Sequence, residues 1–520
     1  MAFASIFLSV KDEKVAMFKK ALPLKMACFC LGVLLSHAMS AIASGICLPP
    51  ASGCASAGRD GNLTVVAASA VVNTYYPGIS ATGSAIMVGS PTGSPQGITS
   101  GDLLLVIQMQ DGTPNAAGFY EYAQASSALP AGFGGTVTLA SPLVNTYSTN
   151  VANNQTFQVV RVPQNDNLTI AGTGSIQSSP WNGSSGGIVA LDVAEIFTLD
   201  GVVDVSTQGF LGATVTLTQG EGAQGPGVFS LTGLSNVNAG GASYAPNGGG
   251  GGGGANGGNG GRGGLTADTG NGPGYGGLLF SALCSQVVLG GGGGISSAGP
   301  ALNARGTNGG GLILIRADTV AGSGSLLANG ESIAIPDPIG GGGGGGAGGS
   351  IVIASNNALP AIAIQANGGN GTSTTSLGRA GGGGGGGGWI FISAGSAITS
   401  VSPGIAGSSI QSQDVVDGDP GQVGTSSLSC APGICAGANC PLCAITFTAQ
   451  TTPSCGCCHK GKIIITNVTG GSGGYLFSLN GGTPQSSHVF RHLSPGTYQV
   501  TVTDSSGCSA TITVVVSRFR

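Results

Sequence analysis

The sequence predicts an all-β chain, in which glycine-rich parallel β-helix or solenoid-like repeats precede a small immunoglobulin-like β-sandwich. Three observations predict this class. Glycine supplies 101 of 520 residues, against about 7% in average proteins. Short β-branched strands bounded by Gly, Pro, Asn and Ser lie between the glycine runs, and no amphipathic helical pattern competes with them. Pairs of such strands recur, the last three about 38 residues apart.

The composition excludes several other classes. Charged residues make up 7% of the chain, against about 25% in ordinary soluble domains. Hydrophobic residues still reach 41%, and their recurring Val and Ile distinguish the chain from a disordered low-complexity protein. There is no Gly-x-y period, which excludes collagen. The net charge is −4 without a run of Lys or Arg, so the basic surface that nucleic-acid binding requires is missing.

Residues 1–43 predict an export signal. A positive segment with three lysines precedes the apolar stretch 26–35, and Ala41-Ile42-Ala43 is a small-x-small cleavage site. Cleavage between Ala43 and Ser44 is expected. The alternative, a membrane anchor, is less favoured because a spanning helix needs about 20 apolar residues. Met17 is an alternative start, since the residues before it extend an ordinary signal.

Residues 44–185 predict a β-rich N-terminal region. Its strands are expected within 64–72, 103–110, 135–139 and 158–162, where apolar residues form short runs or alternate with polar ones. Turn residues such as Gly101 bound these runs. We expect this region to cap one end of the repeats that follow it.

Residues 186–410 predict the β-solenoid. Each unit has a double glycine, a β-branched strand, a short turn and a second strand. The first strands are expected at 188–191, 312–315, 351–353 and 390–392. Repetition at this period indicates stacked units that share one core.

Four glycine tracts lie between these strands, at 248–254, 290–294, 340–346 and 381–388. One interpretation is flexible linker. The other is ordered packing of extended polyglycine-type strands, whose backbone groups then find partners in neighbouring tracts. The tracts directly adjoin buried strands, which favours ordered packing.

Residues 411–445 predict a Cys- and Ser-rich connector, and residues 446–520 an immunoglobulin-like β-sandwich. Asp414, Asp417 and Asp419 in the connector do not have the spacing of an EF-hand calcium loop, so a solvated turn is favoured over a calcium site. In the sandwich, strands are expected at 462–466, 475–479, 498–503 and 511–516, with a turn at 480–482.

Cysteine usage also indicates export. Of 13 cysteines, two lie in the signal and 11 remain. A zinc site is one interpretation of the C-terminal cluster and the adjacent His459, but after an export signal disulfides are favoured. Their pairing is left open, and the odd count leaves one thiol over or one link to another chain. The disulfide candidates are Cys47, Cys54, Cys430, Cys435, Cys440, Cys443, Cys455, Cys457, Cys458 and Cys508.

Two stretches resemble a known group of proteins. Residues 98–210 and 305–395 carry Gly101-Asp102-Leu103, Tyr120-Glu121-Tyr122, Trp181-Asn182-Gly183 and the Gly-Gly-strand units, and resemble large glycine-rich bacterial cell-surface proteins. The tail, with Gly496-Thr497-Tyr498 and Thr501-Val502-Thr503-Asp504, resembles the immunoglobulin-like repeats of gliding-motility adhesins. The resemblance implies adhesion or envelope structure, and no catalytic residues.

The search for chemistry predicts no catalytic, cofactor or metal site. His459, His488 and His492 do not form a catalytic triad pattern, and no Lys follows a glycine run as in a phosphate loop. Acids in the repeat region do not recur at one phase. The sequence therefore predicts a secreted or cell-surface structural and adhesive protein that is not an enzyme. The alternatives are a β-helix polysaccharide-degrading enzyme, which needs grouped carboxylates, and a carbohydrate-binding protein.

The expected partners are cell-surface or matrix components, including glycans or further copies of the chain, and not nucleic acid. No segment after the signal has 18 consecutive apolar residues, so no membrane span is expected in the mature chain.

Overall fold

Parallel β-strands stacked along the chain form the centre of the fold. The computed structural model describes residues 58–214, 219–226, 238–243, 248–266, 273–282, 285–296, 304–392, 395–410, 415–416, 426–427, 446–452, 461–469, 475–480, 482–503 and 509–517.

Ten strands lie before residue 180 in the described part of the chain. A single turn of 3-10 helix at Val151–Asn153 follows Asn150, whose side chain accepts the amide of Ala152. The strands are β1 (Gly61–Val65), β2 (Thr74–Thr82), β3 (Ala85–Val88), β4 (Thr92–Gly93), β5 (Leu103–Gln110), β6 (Tyr120–Gln124), β7 (Gly135–Thr138), β8 (Thr156–Val162), β9 (Gln164–Ile170) and β10 (Ser175–Ile176).

The strands of the repeat region follow the predicted units closely. They are β11 (Ile188–Leu199), β12 (Val202–Asp204), β13 (Glu221–Gly222), β14 (Gly225–Pro226), β15 (Leu265–Thr266), β16 (Leu312–Ala321), β17 (Ser325–Leu327), β18 (Ser350–Ser355), β19 (Ala363–Gln365), β20 (Trp389–Ile392), β21 (Ile398–Ser400), β22 (Val415–Val416) and β23 (Ser426–Ser427).

Two parallel sheets arise because the first strands of successive units pair with each other, and so do the second strands. The larger sheet has the order β1-β9-β11-β16-β18-β20-β23, and the smaller has the order β10-β12-β17-β19-β21. In the larger sheet Leu312 lies opposite Ser350, which lies opposite Trp389. The prediction of an all-β chain with parallel stacked repeats is confirmed.

The extent of the parallel sheets differs from the predicted 186–410. Strands β1, β9 and β10 already belong to them, and β23 in the predicted connector extends the larger sheet. Ile188 pairs directly with Leu312, 124 positions later. The segment between β12 and β16 is therefore an insertion into one unit of the stack, and it carries two of the four glycine tracts.

The remaining early strands form an antiparallel sheet with the order β6-β5-β8-β2-β3-β7, with β4 paired to β2. Side chains alternate across the larger parallel sheet. Val189 and Ile313 pack between the two parallel sheets, whereas Ile188 and Leu312 pack with Leu105 of the antiparallel sheet. The N-terminal region thus covers the outer face of the larger parallel sheet, besides adding strands to its first edge. The expectation of an end cap was incomplete, because β5 is apolar on both faces and needs cover on each.

The glycine tracts form a bundle of extended segments held by backbone hydrogen bonds. Amides three residues apart in a tract donate to the same neighbouring segment, as expected for a polyproline II-type helix with three residues per turn. Successive amides of residues 250–255 donate to Gly264, Gly342, Gly241, Gly261, Gly345 and Asn238. Likewise, amides 380, 383 and 386 donate to carbonyls 248, 251 and 254, while amides 382, 385 and 388 donate to carbonyls 372, 369 and 366. Side-by-side polyglycine packing is confirmed for these tracts, and the linker interpretation is wrong.

Close backbone approach explains why these tracts are glycine. A Cβ added at Gly383 would overlap the carbonyl group of Gly261, and one added at Gly344 would overlap that of Gly252. The tracts are closely surrounded by other backbone segments, which leaves little space for a side chain. The entropy that glycine loses on ordering is offset by hydrogen bonds on all sides of the segment.

The tail has two three-stranded antiparallel sheets, with the orders β24-β25-β27 and β26-β28-β29. Asn480, in the predicted turn at 480–482, has a φ of 51°. Phe447, Ile463, Phe477, Val500 and Val514 share one buried cluster. The strands are β24 (Thr446–Thr452), β25 (Gly461–Thr469), β26 (Leu476–Leu479), β27 (Val489–Leu493), β28 (Gly496–Thr503) and β29 (Ser509–Val516).

Candidate binding face

The smaller parallel sheet continues into the surface of the polyglycine bundle. In its strands every second residue points inward, as Val203, Leu326 and Ile364 do. Beyond the strands the chain becomes polyproline II-like, and every third residue lies at the surface. Asn370 follows Asn367 in this way, and Ser373 follows Asn370; their neighbours Gly369, Gly371 and Thr372 are buried.

Equivalent residues of successive coils form three rows on this surface, which we call the amide rows. In each row a side-chain oxygen of one coil accepts the backbone amide of the equivalent residue on the next coil. The first row is Ser206, Asn329, Asn367 and Ser402, with N···O distances of 3.1, 2.8 and 2.9 Å. The second is Ser332, Asn370 and Ile405, with 2.7 and 2.9 Å. The third is Ser373 and Ser408, with 3.1 Å.

The side chains of the amide rows accept hydrogen bonds from backbone amides at the surface of the bundle. Inside the bundle, most amides donate to a carbonyl group of a neighbouring segment. At the surface an amide that points along the layer has no backbone carbonyl in reach, and an Asn or Ser oxygen replaces it. Asn367 accepts both the amide of Ser402 and the hydroxyl of Ser400, the latter at 2.7 Å. Asparagine is therefore a structural residue here as well as a surface one.

The side-chain amide nitrogens (Nδ2) of Asn329, Asn367 and Asn370 have no hydrogen-bond partner in the described part of the chain. Their Oδ1 atoms accept backbone amides, which sets which end of each side chain faces the next coil. Asn370 is exposed, and Asn329 and Asn367 are partly exposed. The surface thus presents fixed hydrogen-bond donors that the fold itself does not use.

Sequence reasoning missed this face. The available signal was the change from a period of two in the strand 363–365 to a period of three in Asn367, Asn370 and Ser373. The Asn-Gly pairs at 329–330 and 367–368 repeat at the same point of successive coils, and a third pair at 370–371 follows on the second of these coils.

The residues singled out from the sequence as processing or disulfide sites lie outside the described residues. This holds for the cleavage site Ala43–Ser44, for every disulfide candidate and for Asp414, Asp417 and Asp419, so the disulfide and zinc interpretations both stay predictions. His488 packs edge-on to Phe477, with ring centroids 6.4 Å apart, and His492 is exposed with a φ of 60°.

The fold brings together some acids and arginines that are scattered in the sequence. Asp192 and Arg316 lie opposite each other on β11 and β16, with Arg316 Nε 3.3 Å from Asp192 Oδ1. Both are buried, and the guanidinium lies 4.7 Å from the ring centroid of Tyr122 in the antiparallel sheet. Burial raises the pKa of Asp192, and the charge of Arg316 opposes that rise. The pair joins the two sheets and is closed to solvent.

A second charged cluster ties β1 to the antiparallel sheet. Asp102 accepts hydrogen bonds from Arg59 Nε at 3.0 Å and from Arg161 Nε at 2.9 Å. Arg161 also donates to Asp60 at 2.6 Å. Burial acts to lower the pKa of Arg161, but the hydrogen bonds to the two carboxylates outweigh it and raise that pKa. The side chain of Asp102 is 1% exposed, so this cluster holds strands together and presents no open carboxylate pair.

Glu221, in the insertion, is bound by the buried indole of Trp181. Trp181 Nε1 donates to Glu221 Oε2 at 2.9 Å. Burial raises the pKa of Glu221, and the hydrogen bonds from Trp181 and the Leu211 amide partly offset that rise. This contact joins the insertion to the loop that follows β10.

Within the described ranges, no group of three or more His, Cys, Asp or Glu is arranged to hold a metal ion. No helix in the described part of the chain is long and apolar enough to cross a membrane.

Comparison with known proteins found no matching family model and no matching curated protein. Among solved structures, the Gp54 tailspike of Acinetobacter baumannii bacteriophage AP22, in complex with A. baumannii capsular saccharide, is 12% identical; the match covers 28% of this chain and only 26% of the tailspike, with a TM-score of 0.13. The tailspike protein gp49 from Pseudomonas phage LKA1 is 9% identical, with 87% of this chain and 80% of gp49 covered and a TM-score of 0.13. Likeness at this level supports no functional argument.

Proposed function

We propose that the chain is an exported cell-surface or extracellular-matrix protein with a structural and adhesive role and without catalytic activity. The observation that carries the proposal is the face formed by the amide rows, where regularly spaced polar groups lie on a scaffold of hydrogen-bonded backbone. A surface of this kind suits repeated contacts with an extended partner. The export signal and the resemblance to glycine-rich surface proteins in the sequence support the same role.

The charged clusters support a non-enzymatic role. A polysaccharide-degrading site needs an acid and a base that reach the substrate. Asp192 and Asp102 are buried and paired with arginines, which suits stabilisation of the packed sheets.

An immunoglobulin-like fold is the proposed class of the tail. The strand orders β24-β25-β27 and β26-β28-β29 correspond to strands A-B-E and C-F-G of such a sandwich. Tyr498, near the start of β28, donates its hydroxyl to the carbonyl of Ser494 at 2.9 Å, the contact of a tyrosine corner. This supports the resemblance to adhesin repeats.

Labelling of intact source cells with an antibody to residues 58–410 tests the location, and attachment assays after gene deletion test the role. Surface labelling and reduced attachment, restored by the full chain, are expected. N-terminal sequencing of the exported protein should begin at Ser44. Unlabelled intact cells, or a deletion that changes neither attachment nor envelope integrity, would refute the proposal.

A further inference from the structure

We propose that the amide rows bind a neutral, extended β-linked polysaccharide through the side-chain amide nitrogens (Nδ2) of Asn329, Asn367 and Asn370. This inference rests on the proposed function, because it names the class of surface component that the protein adheres to.

The donors are oriented before any ligand arrives. A primary amide has an acceptor end and a donor end, and the acceptor end of each of these three asparagines is bound to a backbone amide at 2.8–2.9 Å. The donor end therefore has a fixed direction. Little side-chain freedom remains to be lost when a ligand binds, which favours affinity.

The spacing of the donors matches a repeating polymer. Asn367 and Asn370 are three residues apart on a polyproline II-like segment, a distance of about 9 Å. Asn329 and Asn367 lie on adjacent coils, about 5 Å apart if the coils keep the spacing of paired strands. In an extended β-linked glycan, hydroxyl and ring oxygens recur with each sugar and repeat their orientation every second sugar. Such a chain offers acceptors at comparable intervals.

The surroundings of the rows favour a neutral glycan. Asp204, Leu327, Gln365 and Ser400 lie opposite one another on successive strands of the smaller sheet, next to the first row. Asp204 is the charged residue of this line. The Asp204 carboxylate accepts the amide of Ser206, the first member of the first row, at 2.8 Å, so it lies close enough to repel a polyanion. Ile405, 69% exposed in the second row, offers an apolar contact for the C–H face of a sugar ring.

Substitution of asparagine by aspartate separates the ligand role from the structural one. Asn329→Asp/Asn370→Asp keeps the oxygens that accept the amides of Asn367 and Ile405, but removes two donors. The matched control is Asn259→Asp, in the insertion between β12 and β16, where Oδ1 accepts the backbone amide of Leu279 at 2.8 Å. Each full-length exported protein is titrated with cellohexaose and assayed for retention on cellulose, with hyaluronan as the acidic comparator.

The native chain and the Asn259→Asp variant are expected to bind cellohexaose. The double variant is expected to have a dissociation constant at least about tenfold higher, since two hydrogen bonds are lost. Far-UV circular dichroism and the melting temperature check folding. Equal binding by all three proteins, equal loss in the control, or binding of hyaluronan alone would overturn the inference. If the native chain binds neither neutral glycan but still mediates attachment, the inference fails while the proposed function stands.

Discussion

At the scale of single residues, glycine is required by neighbouring backbone more than by local conformation. In the bundle, the space where a side chain would begin is occupied by the carbonyl of another tract. Glycines in open turns of this chain, such as Gly83 and Gly132, differ: they have a positive φ, and an added Cβ would meet no atom within 4 Å.

Gly383→Ala should therefore destabilise the protein, by ~1–3 kcal/mol, as expected for added volume in a packed interior. Gly172→Ala is the matched control, since the nearest atom to its added Cβ is the Asp200 carbonyl oxygen at 3.9 Å. That substitution should be neutral or slightly stabilising. Urea unfolding measures both, and similar losses in the two variants would contradict the packing described for the bundle.

The surface asparagines have a structural role that can be measured without any ligand. Asn367→Ala removes the acceptor of the Ser402 amide and the Ser400 hydroxyl, and should lower the free energy of unfolding by about 1 kcal/mol. Asn367→Asp keeps that acceptor and should lie close to the native protein. The same urea experiment applies. An aspartate variant as unstable as the alanine variant would show that the hydrogen bonds accepted by the side-chain oxygen do not account for the lost free energy of unfolding.

At the scale of elements, the antiparallel sheet packs on the larger parallel sheet through an apolar layer that includes the buried ion pair Asp192–Arg316. Asp192 and Arg316 come from neighbouring strands, and Tyr122 contacts the guanidinium from the facing sheet. Burial of charge is costly unless the charges stay paired. The pair therefore makes the packing of these sheets sensitive to the loss of either partner.

Arg316→Met should lower the free energy of unfolding by about 3–5 kcal/mol at neutral pH, because the Asp192 carboxylate is left buried and unpaired. Addition of Asp192→Leu should recover much of this loss. An acid whose folded pKa is raised favours the folded state below its unfolded pKa and loses that contribution as pH rises. The defect of Arg316→Met should therefore shrink on acidification, when Asp192 is protonated.

Urea midpoints of the native chain, the single variant and the double variant at pH 7 and pH 5 measure this. A defect of Arg316→Met that is unchanged by pH, and not relieved by the second substitution, would assign the loss to side-chain volume instead of charge.

At the scale of the whole molecule, the central question is whether the glycine tracts behave as an ordered body. Most amides of residues 250–254, 290–294, 342–346 and 382–388 donate to carbonyl groups of other tracts or of neighbouring extended segments. Backbone held in this way opens only with larger parts of the structure, so its hydrogen exchange is slow.

The hydrogen-bonded amides of the tracts, which are 250–254, 290–294, 342, 344–346, 382, 383, 385, 386 and 388, should exchange slowly in the native protein. The tracts 248–254, 290–294, 340–346 and 381–388 should also resist proteolysis. The loop around Val151, which is 90% exposed, serves as the internal comparator and should exchange quickly. Hydrogen exchange followed by mass spectrometry measures both in one experiment. Tracts that exchange as fast as this loop, or that are readily cut by proteinase, would contradict an ordered bundle.

The sequence by itself determined the strands of the repeat units and their parallel stacking. In the N-terminal region it predicted fewer strands than the structure has, and the strand expected within 64–72 is β1, which ends at Val65. Runs such as 103–107 and 312–315 are apolar because they are buried on both faces, and this requirement is visible in the chain. The recurrence of similar units about 38 residues apart likewise indicated parallel repeats, since each unit must share its core with the next.

Only the tertiary structure decided which tracts are neighbours. A glycine run has no side chains to specify a partner, so the pairing of residue 251 with 342 and of residue 380 with 248 leaves no mark in the sequence. The insertion between β12 and β16, the cover over the larger sheet and the buried pair Asp192–Arg316 also depend on contacts between distant segments. The amide rows lie between these cases: their asparagines are visible in the sequence, but their alignment exists only once successive coils are stacked.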